Sequence, residues 1–210
     1  MAKRIDPVLL YEQMSEYEKE FRARGLKLIA GMDEAGRGPL AGPVVAACVI
    51  LDPERPVYGV NDSKKLSPKR RAELKAEIEK KALAIGVGIV DEKTIDEINI
   101  LEATKLAMKQ AVQNLGVLPE ILLIDALTLK DLPIPQEGII KGDAKSVSIA
   151  AASIIAKETR DAMLMELDQQ YPEYGFASHK GYGTPQHIQA IKEYGPLPVH
   201  RRSFIKNFIS

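Results

Sequence analysis

Apolar and polar positions alternate with two different periods along the chain. Leu10, Met14, Tyr17 and Phe21 recur at helical spacing, which predicts a charged amphipathic helix over residues 7–24, closed by Gly25. Two apolar runs follow, Leu26 to Met32 and Val44 to Leu51, each read as a strand. Ser67 and Pro68 open a helix as N-cap and first residue, and it runs to about Ala82. Ala84 to Val90 is apolar on both faces, as a central strand would be. A short helix near Glu92 to Glu97 and a longer one from about Leu101 to Leu115, ended by Gly116, come next. Ile121 to Ile124 is a short, wholly apolar strand that stops at Asp125. The proline-bearing stretch from Thr128 to Gln136 is read as a loop. A long helix, Ala144 to Gln170, is expected to open at Asp143, and Thr184-Pro185 opens another. Strands that first cluster and then alternate with helices predict an α/β sheet with helices on its faces.

Composition adds limits. The chain has 210 residues, 45% of them hydrophobic and 28% charged, which is ordinary for a globular protein with a real core. Its 29 basic and 29 acidic residues cancel, so any nucleic-acid footprint must be local rather than global. The single cysteine, Cys48, lies inside an apolar run and is read as buried filler in a reducing compartment. The polar N-terminal segment does not resemble a signal peptide, and no apolar run approaches the roughly 20 residues that span a bilayer. A cytoplasmic protein without membrane contact is expected.

The chemistry gathers around Ile29 to Gly42, where an apolar run ends in Asp33 and Glu34 and a glycine-flanked arginine follows, Gly36-Arg37-Gly38. A dinucleotide loop would need G-x-G-x-x-G leading into a helix, whereas here Gly36, Gly38 and Gly42 lead into a β-branched run. An ordinary hairpin with solvated carboxylates explains the stretch taken alone. Asp125 and Asp143 change that balance. Four carboxylates at element ends, with no histidine or cysteine beside them, favour Mg²⁺ or Mn²⁺ over zinc. Two such ions about 4 Å apart suit in-line displacement at phosphorus. Adjacent strand residues point to opposite faces, so Asp33 and Glu34 can share a site only if the backbone bends there.

Possible polyanion contacts are spread through the chain. Asn61 to Arg71 holds five basic residues and one acidic one. Lys69, Arg70 and Arg71 read as a solvated helix face, while Lys64 and Lys65 precede the helix in a loop, where binding residues concentrate. Ser146, Ala150, Ser153, Lys157 and Arg160 share a helical stripe with Asp143, and the two cations at its far end could meet a phosphate backbone. Asp143 as a helix cap and Asp125 as a turn aspartate are the plain structural explanations. The tail from Tyr174 to Phe208 carries all three histidines, five basic residues and one acidic one. Within it, Tyr182 stands between glycines, placed to stack on a sugar or base or simply to pack its loop down.

Taken in order, these stretches resemble the ribonuclease HII family. The resemblance runs through Asp33-Glu34-Ala35-Gly36-Arg37-Gly38-Pro39-Leu40-Ala41-Gly42-Pro43-Val44, Asp62-Ser63-Lys64-Lys65-Leu66, Ile124-Asp125 and Lys141-Gly142-Asp143. It continues through Ala151 to Lys157 with Arg160-Asp161, and His179-Lys180-Gly181-Tyr182-Gly183-Thr184. It implies a ribonuclease H-like mixed sheet flanked by helices, with a small C-terminal helical portion. Residues 1–25 would be a helical lead-in, 26–172 the catalytic core and 173–210 a substrate-contacting portion. The implied activity is metal-dependent endonucleolytic cleavage of RNA in RNA–DNA hybrids and of single ribonucleotides in duplex DNA. Cuts would fall on the 5′ side of the ribonucleotide and leave 3′-hydroxyl and 5′-phosphate ends. Asp33, Glu34, Asp125 and Asp143 would carry Mg²⁺ or Mn²⁺. Gly36, Arg37 and Gly38 would read the 2′-hydroxyl, and Tyr182 would stack on the adjacent deoxyribose. Lys64, Lys65, Ser146, Lys157 and Arg160 would hold phosphates. A monomer is expected. A binding module on the same fold, with carboxylates that only hold the fold, is the reading from another class.

Overall fold

The structure is a computed structural model that describes residues 6–125 and 127–208. Its centre is a five-stranded sheet built from β1 (Ile29–Ala35), β2 (Val44–Ile50), β3 (Ala84–Val90), β4 (Ile121–Asp125) and β5 (Gln136–Ile139), in spatial order β3-β2-β1-β4-β5. β1, β2 and β3 form an antiparallel meander, while β4 runs parallel to β1 and β5 parallel to β4. The sheet is therefore mixed, as read.

The two faces follow from strand alternation. Met32, Ala46, Cys48, Leu122 and Ile124 pack with Ala103, Ala107, Met108 and Ala111 of α4 (Glu92–Gln113) on one side. Ala47 and Val49 pack on the other with Ala150, Ala151, Ile154 and Ile155 of α5 (Val147–Gln170) and with Leu74 and Ile78 of α3 (Pro68–Lys81). Small residues bring the layers close. A Cβ added at Gly31 in β1 would lie 2.0 Å from the backbone carbon of Ser148, and one at Gly88 in β3 would lie 1.9 Å from the Ala107 carbonyl oxygen. The chain beyond α5 folds into α6 (Phe176–His179), α7 (Pro185–Tyr194) and α8 (Arg202–Ile205). These share a separate core of Leu164, Tyr174, Phe176, Ile191 and Ile205 with Leu40 and Ala41.

Several elements differ from the reading of the sequence. The helix over 7–24 is two, α1 (Pro7–Met14) and α2 (Glu16–Ala23), broken where the Ser15 hydroxyl donates back to the Tyr11 carbonyl at 2.7 Å. The first strand starts at Ile29, three residues beyond Leu26, and extends through Asp33 and Glu34, because pairing with β2 continues as far as Ala35 opposite Val45. β5 begins at Gln136, where the loop read from Thr128 ends, and the sequence signals no strand there. Its sequence, Gln-Glu-Gly-Ile, is too short and polar to signal a strand, and only pairing with β4 makes it one. The two helical pieces read at 92–97 and 101–115 are both present within α4: Asn99, with φ +69° and ψ 164°, interrupts it, and its side chain caps the second piece by accepting from the N–H groups of Leu101 and Glu102. Asp143 does not cap the long helix. It lies in a 3₁₀ turn, Gly142–Ala144, and Ser146 caps α5 by accepting from the Ile149 N–H.

Candidate active site

The C-terminal ends of β1 and β4 lie side by side, since Met32 pairs with Ile124 and the next residues are Asp33 and Asp125. The Asp33 carboxylate accepts from the Glu34 N–H at 2.8 Å. Asp125 accepts from the Gly142 N–H at 2.9 Å, which ties the 3₁₀ turn carrying Asp143 to the end of β4. Asp33 and Asp143 are buried; Asp125 and Glu34 are half-buried. Burial pushes Asp33 well above the usual carboxylate range, and the charges of Glu34, Asp125 and Asp143 push the same way against the Glu34 N–H bond. Glu34 is raised by burial against the opposing pull of Arg37, whose Nη1 lies 3.3 Å from it. Asp143 is raised by burial and by Asp62 and Asp125. The four sequence-predicted carboxylates thus form one electrostatic group. Among the described residues, no three His, Cys, Asp or Glu side chains converge closely enough to hold one ion unaided. The all-oxygen set fits a hard cation whose shell is completed by water and phosphate oxygens, which is how Mg²⁺ is usually held.

Two adjoining clefts share Lys64. One is lined by Asp33, Glu34, Gly36, Arg37, Gly38, Ser63, Lys157 and Tyr182, the other by Asp62, Lys65, Asp125, Lys141 and Asp143. Partial burial pulls the Lys64 ammonium down, but the surrounding carboxylates, Asp62 first, outweigh it and raise the group. Lys64 and Lys65 are exposed, and Lys65 lies 3.7 Å from Asp62. Lys157 is half-buried and bonds Asp161 at 2.8 Å. Arg37 and Gly38 are exposed, and a Cβ on Gly38 would be 3.7 Å from the ring of Tyr182, itself 46% exposed.

Two expected phosphate contacts are corrected. Ser146 is fully buried, and its hydroxyl donates to Glu18 at 2.6 Å while it caps α5, so it has no face toward the cleft. Arg160 is 1% exposed and donates to the carbonyls of Pro43, Ala41 and Lys180 at 2.9 Å each, so its guanidinium is committed to backbone. The sequence reading missed Asp62 and Lys141, which line the second cleft, and Arg201, which holds the glycine loop from the tail. Asp62 and Lys141 stood inside quoted stretches. Arg201 offered no local signal, because its partners lie about 160 residues earlier.

The three histidines support the Tyr182 loop. Gly181 N–H donates to His179 Nδ1, and Leu197 N–H donates to His200 Nδ1. His200 Nε2–H therefore faces His187 Nε2 at 3.1 Å, and His187 Nδ1–H donates to the Tyr182 carbonyl at 2.9 Å. No site is left for another proton. Burial lowers His187 and His200 to about 4, helped at His200 by His187. Unfolded histidine titrates near 6.5, so between about 6.5 and 4 the unfolded chain binds more protons and stability falls as the pH is lowered. Urea unfolding from pH 7.5 to 4.5 should show this fall, with the dependence of His200→Gln shallower by up to one proton, about 1.4 kcal/mol per pH unit. Identical slopes would mean that His200 is protonated in the fold.

The mixed sheet with carboxylates at its strand ends defines a ribonuclease H-like nuclease. A solved structure of the ribonuclease H2 from Pyrococcus horikoshii superposes with a TM-score of 0.71 at 32% identity, covering 86% of this chain and 96% of that one. The ribonuclease HII in a complex with PCNA from Archaeoglobus fulgidus superposes with a TM-score of 0.70, also at 32% identity, covering 86% of this chain and 96% of that one. In sequence, a ribonuclease HII of Acetivibrio thermocellus is 65% identical over 199 residues, 95% of this chain and 78% of the relative. The family model for ribonuclease HII matches residues 30–207. The chain belongs to the ribonuclease HII family and is an endonuclease, a hydrolase acting on RNA. The reading as a binding module is thereby set aside.

Proposed function

We propose that the protein cuts the RNA strand of RNA–DNA hybrids and single ribonucleotides embedded in duplex DNA, on the 5′ side of the ribonucleotide. The observation that carries this reading is the sharing of one cleft by Asp33, Glu34, the Gly36-Arg37-Gly38 loop and Tyr182. A scissile phosphate beside the carboxylates would put its nucleotide against that loop. The 2′-hydroxyl is what tells RNA from DNA at such a position, and a glycine-flanked backbone lets it approach. Tyr182 would stack on the neighbouring deoxyribose, which carries no 2′-oxygen to clash with the ring. Lys64, Lys65 and Lys157 would hold flanking phosphates.

Asp33, Glu34, Asp125 and Asp143 would hold Mg²⁺ or Mn²⁺. What these cations supply when bound is activation of a water and stabilisation of the leaving 3′-oxygen. The carboxylates position that chemistry and are relieved of their mutual repulsion by it. All of the site residues come from one chain, so the reading needs no second subunit.

The test is a duplex DNA with one ribonucleotide, incubated with protein and Mg²⁺ or Mn²⁺, beside all-DNA and EDTA controls. A metal-dependent cut on the 5′ side of the ribonucleotide, absent from both controls, is expected. Cleavage of long hybrids without that cut would remove the junction-reading role of the loop and Tyr182 while leaving the carboxylates theirs.

A further inference from the structure

The loop from Gly36 to Pro43 is hydrogen-bonded unevenly. The Arg201 guanidinium donates to the carbonyls of Gly36 at 2.6 Å, Arg37 at 3.0 Å and Gly42 at 2.8 and 3.0 Å, and its backbone N–H donates to Leu40 at 2.8 Å. Arg160 holds the carbonyls of Ala41 and Pro43 at 2.9 Å each. The N–H groups of Arg37 and Gly38, both exposed, make no hydrogen bond within the protein among the described residues. The carbonyls of Gly36, Arg37 and Leu40 to Pro43 are tied inward, and the N–H groups of Arg37 and Gly38 are left at the cleft.

Arg201 is itself unusual. It is 0% exposed and has no ion-pair partner among the described residues; its guanidinium lies 5.2 Å from the centre of the Phe204 ring. A buried charge is a poor way to fill space, since well-packed apolar residues often stabilise as much or more. What a guanidinium adds is a rigid fork of donors that sets the orientation of several carbonyls at once.

We propose that Arg201 is a positioning residue for ribonucleotide recognition: by fixing the carbonyls of Gly36, Arg37 and Gly42 it turns the N–H groups of Arg37 and Gly38 toward the substrate and decides where along an RNA tract the cut falls. The inference rests on the junction-reading function proposed above and extends it to the C-terminal tail. Lysine at this position keeps the charge but cannot hold the three carbonyls together.

The test is the distribution of cut positions on a duplex whose one strand carries four consecutive ribonucleotides flanked by DNA. That distribution does not depend on how much of the enzyme is folded. The wild-type protein is expected to favour one position beside the RNA-to-DNA junction. In Arg201→Lys the ratio of that cut to all others should fall at least fivefold. An unchanged distribution, with only total activity or thermal stability reduced, would make Arg201 a purely structural residue. If Arg201→Lys does not fold, Phe204→Leu keeps the guanidinium and removes the ring beneath it. A smaller shift in the same direction is then expected, and none would overturn the role. A wild-type enzyme with no preferred position would overturn the junction reading itself, and this role with it.

Discussion

Asp33→Asn should lower cleavage by at least roughly 1,000-fold, about 4 kcal/mol of barrier, while hybrid binding survives. Asparagine keeps the shape of the side chain and its ability to accept the Glu34 N–H bond. It removes the charge from the group most strongly penalised in the site, raised by burial first and then by Glu34, Asp125 and Asp143. The same substitution should therefore raise thermal stability in EDTA, because an uncompensated buried charge disappears. Added Mn²⁺ should raise the unfolding temperature of the wild type more than that of the variant. Wild-type rates in Asp33→Asn would remove this carboxylate from the metal site. Equal shifts with Mn²⁺ in both proteins would do the same without reference to activity.

Gly31→Ala should destabilise the fold by about 3 kcal/mol, roughly a 10 °C fall in Tm for a chain of this size. The added Cβ would lie 2.0 to 2.4 Å from backbone atoms of Ser148 and Ile149. Backbone in the first turn of α5 cannot step aside alone, so the helix must lift from β1 and β2 along its length. Gly138→Ala is the control, because Gly138 is also a strand residue but its nearest neighbour would be an ordinary 3.6 Å away. Thermal unfolding should show little change for Gly138→Ala. Strand propensity favours alanine over glycine at both positions, so comparable losses in the two variants would mean that the sheet resists any added methyl group and that layer spacing at Gly31 is not the cause. Lifting α5 would also displace Arg160 from the loop carbonyls, so residual activity in Gly31→Ala should fall further than the folded fraction alone requires.

The sequence by itself determined the α/β class, most of the strands and helices, and the carboxylates to consider. Apolar runs and cap residues are local signals, because burial and orphan N–H groups are settled within a few residues. Ordered motifs carried the family. Tertiary structure decided the rest. β5 exists through its pairing with β4, since four polar-leaning residues have no pattern of their own. Asp33 and Glu34 could be read as facing opposite ways, and only the fold showed both lining one cleft. Ser146 and Arg160 looked available because helical spacing reports which face a residue is on, not what covers that face. Glu18 covers one, and the carbonyls of residues 41, 43 and 180 occupy the other. Arg201 shows the same limit from the other side. A guanidinium bonded to backbone carbonyls leaves no trace in the identity of its partners, because every residue has a carbonyl, so the tail's hold on the glycine loop becomes visible only when chain segments about 160 residues apart are brought together.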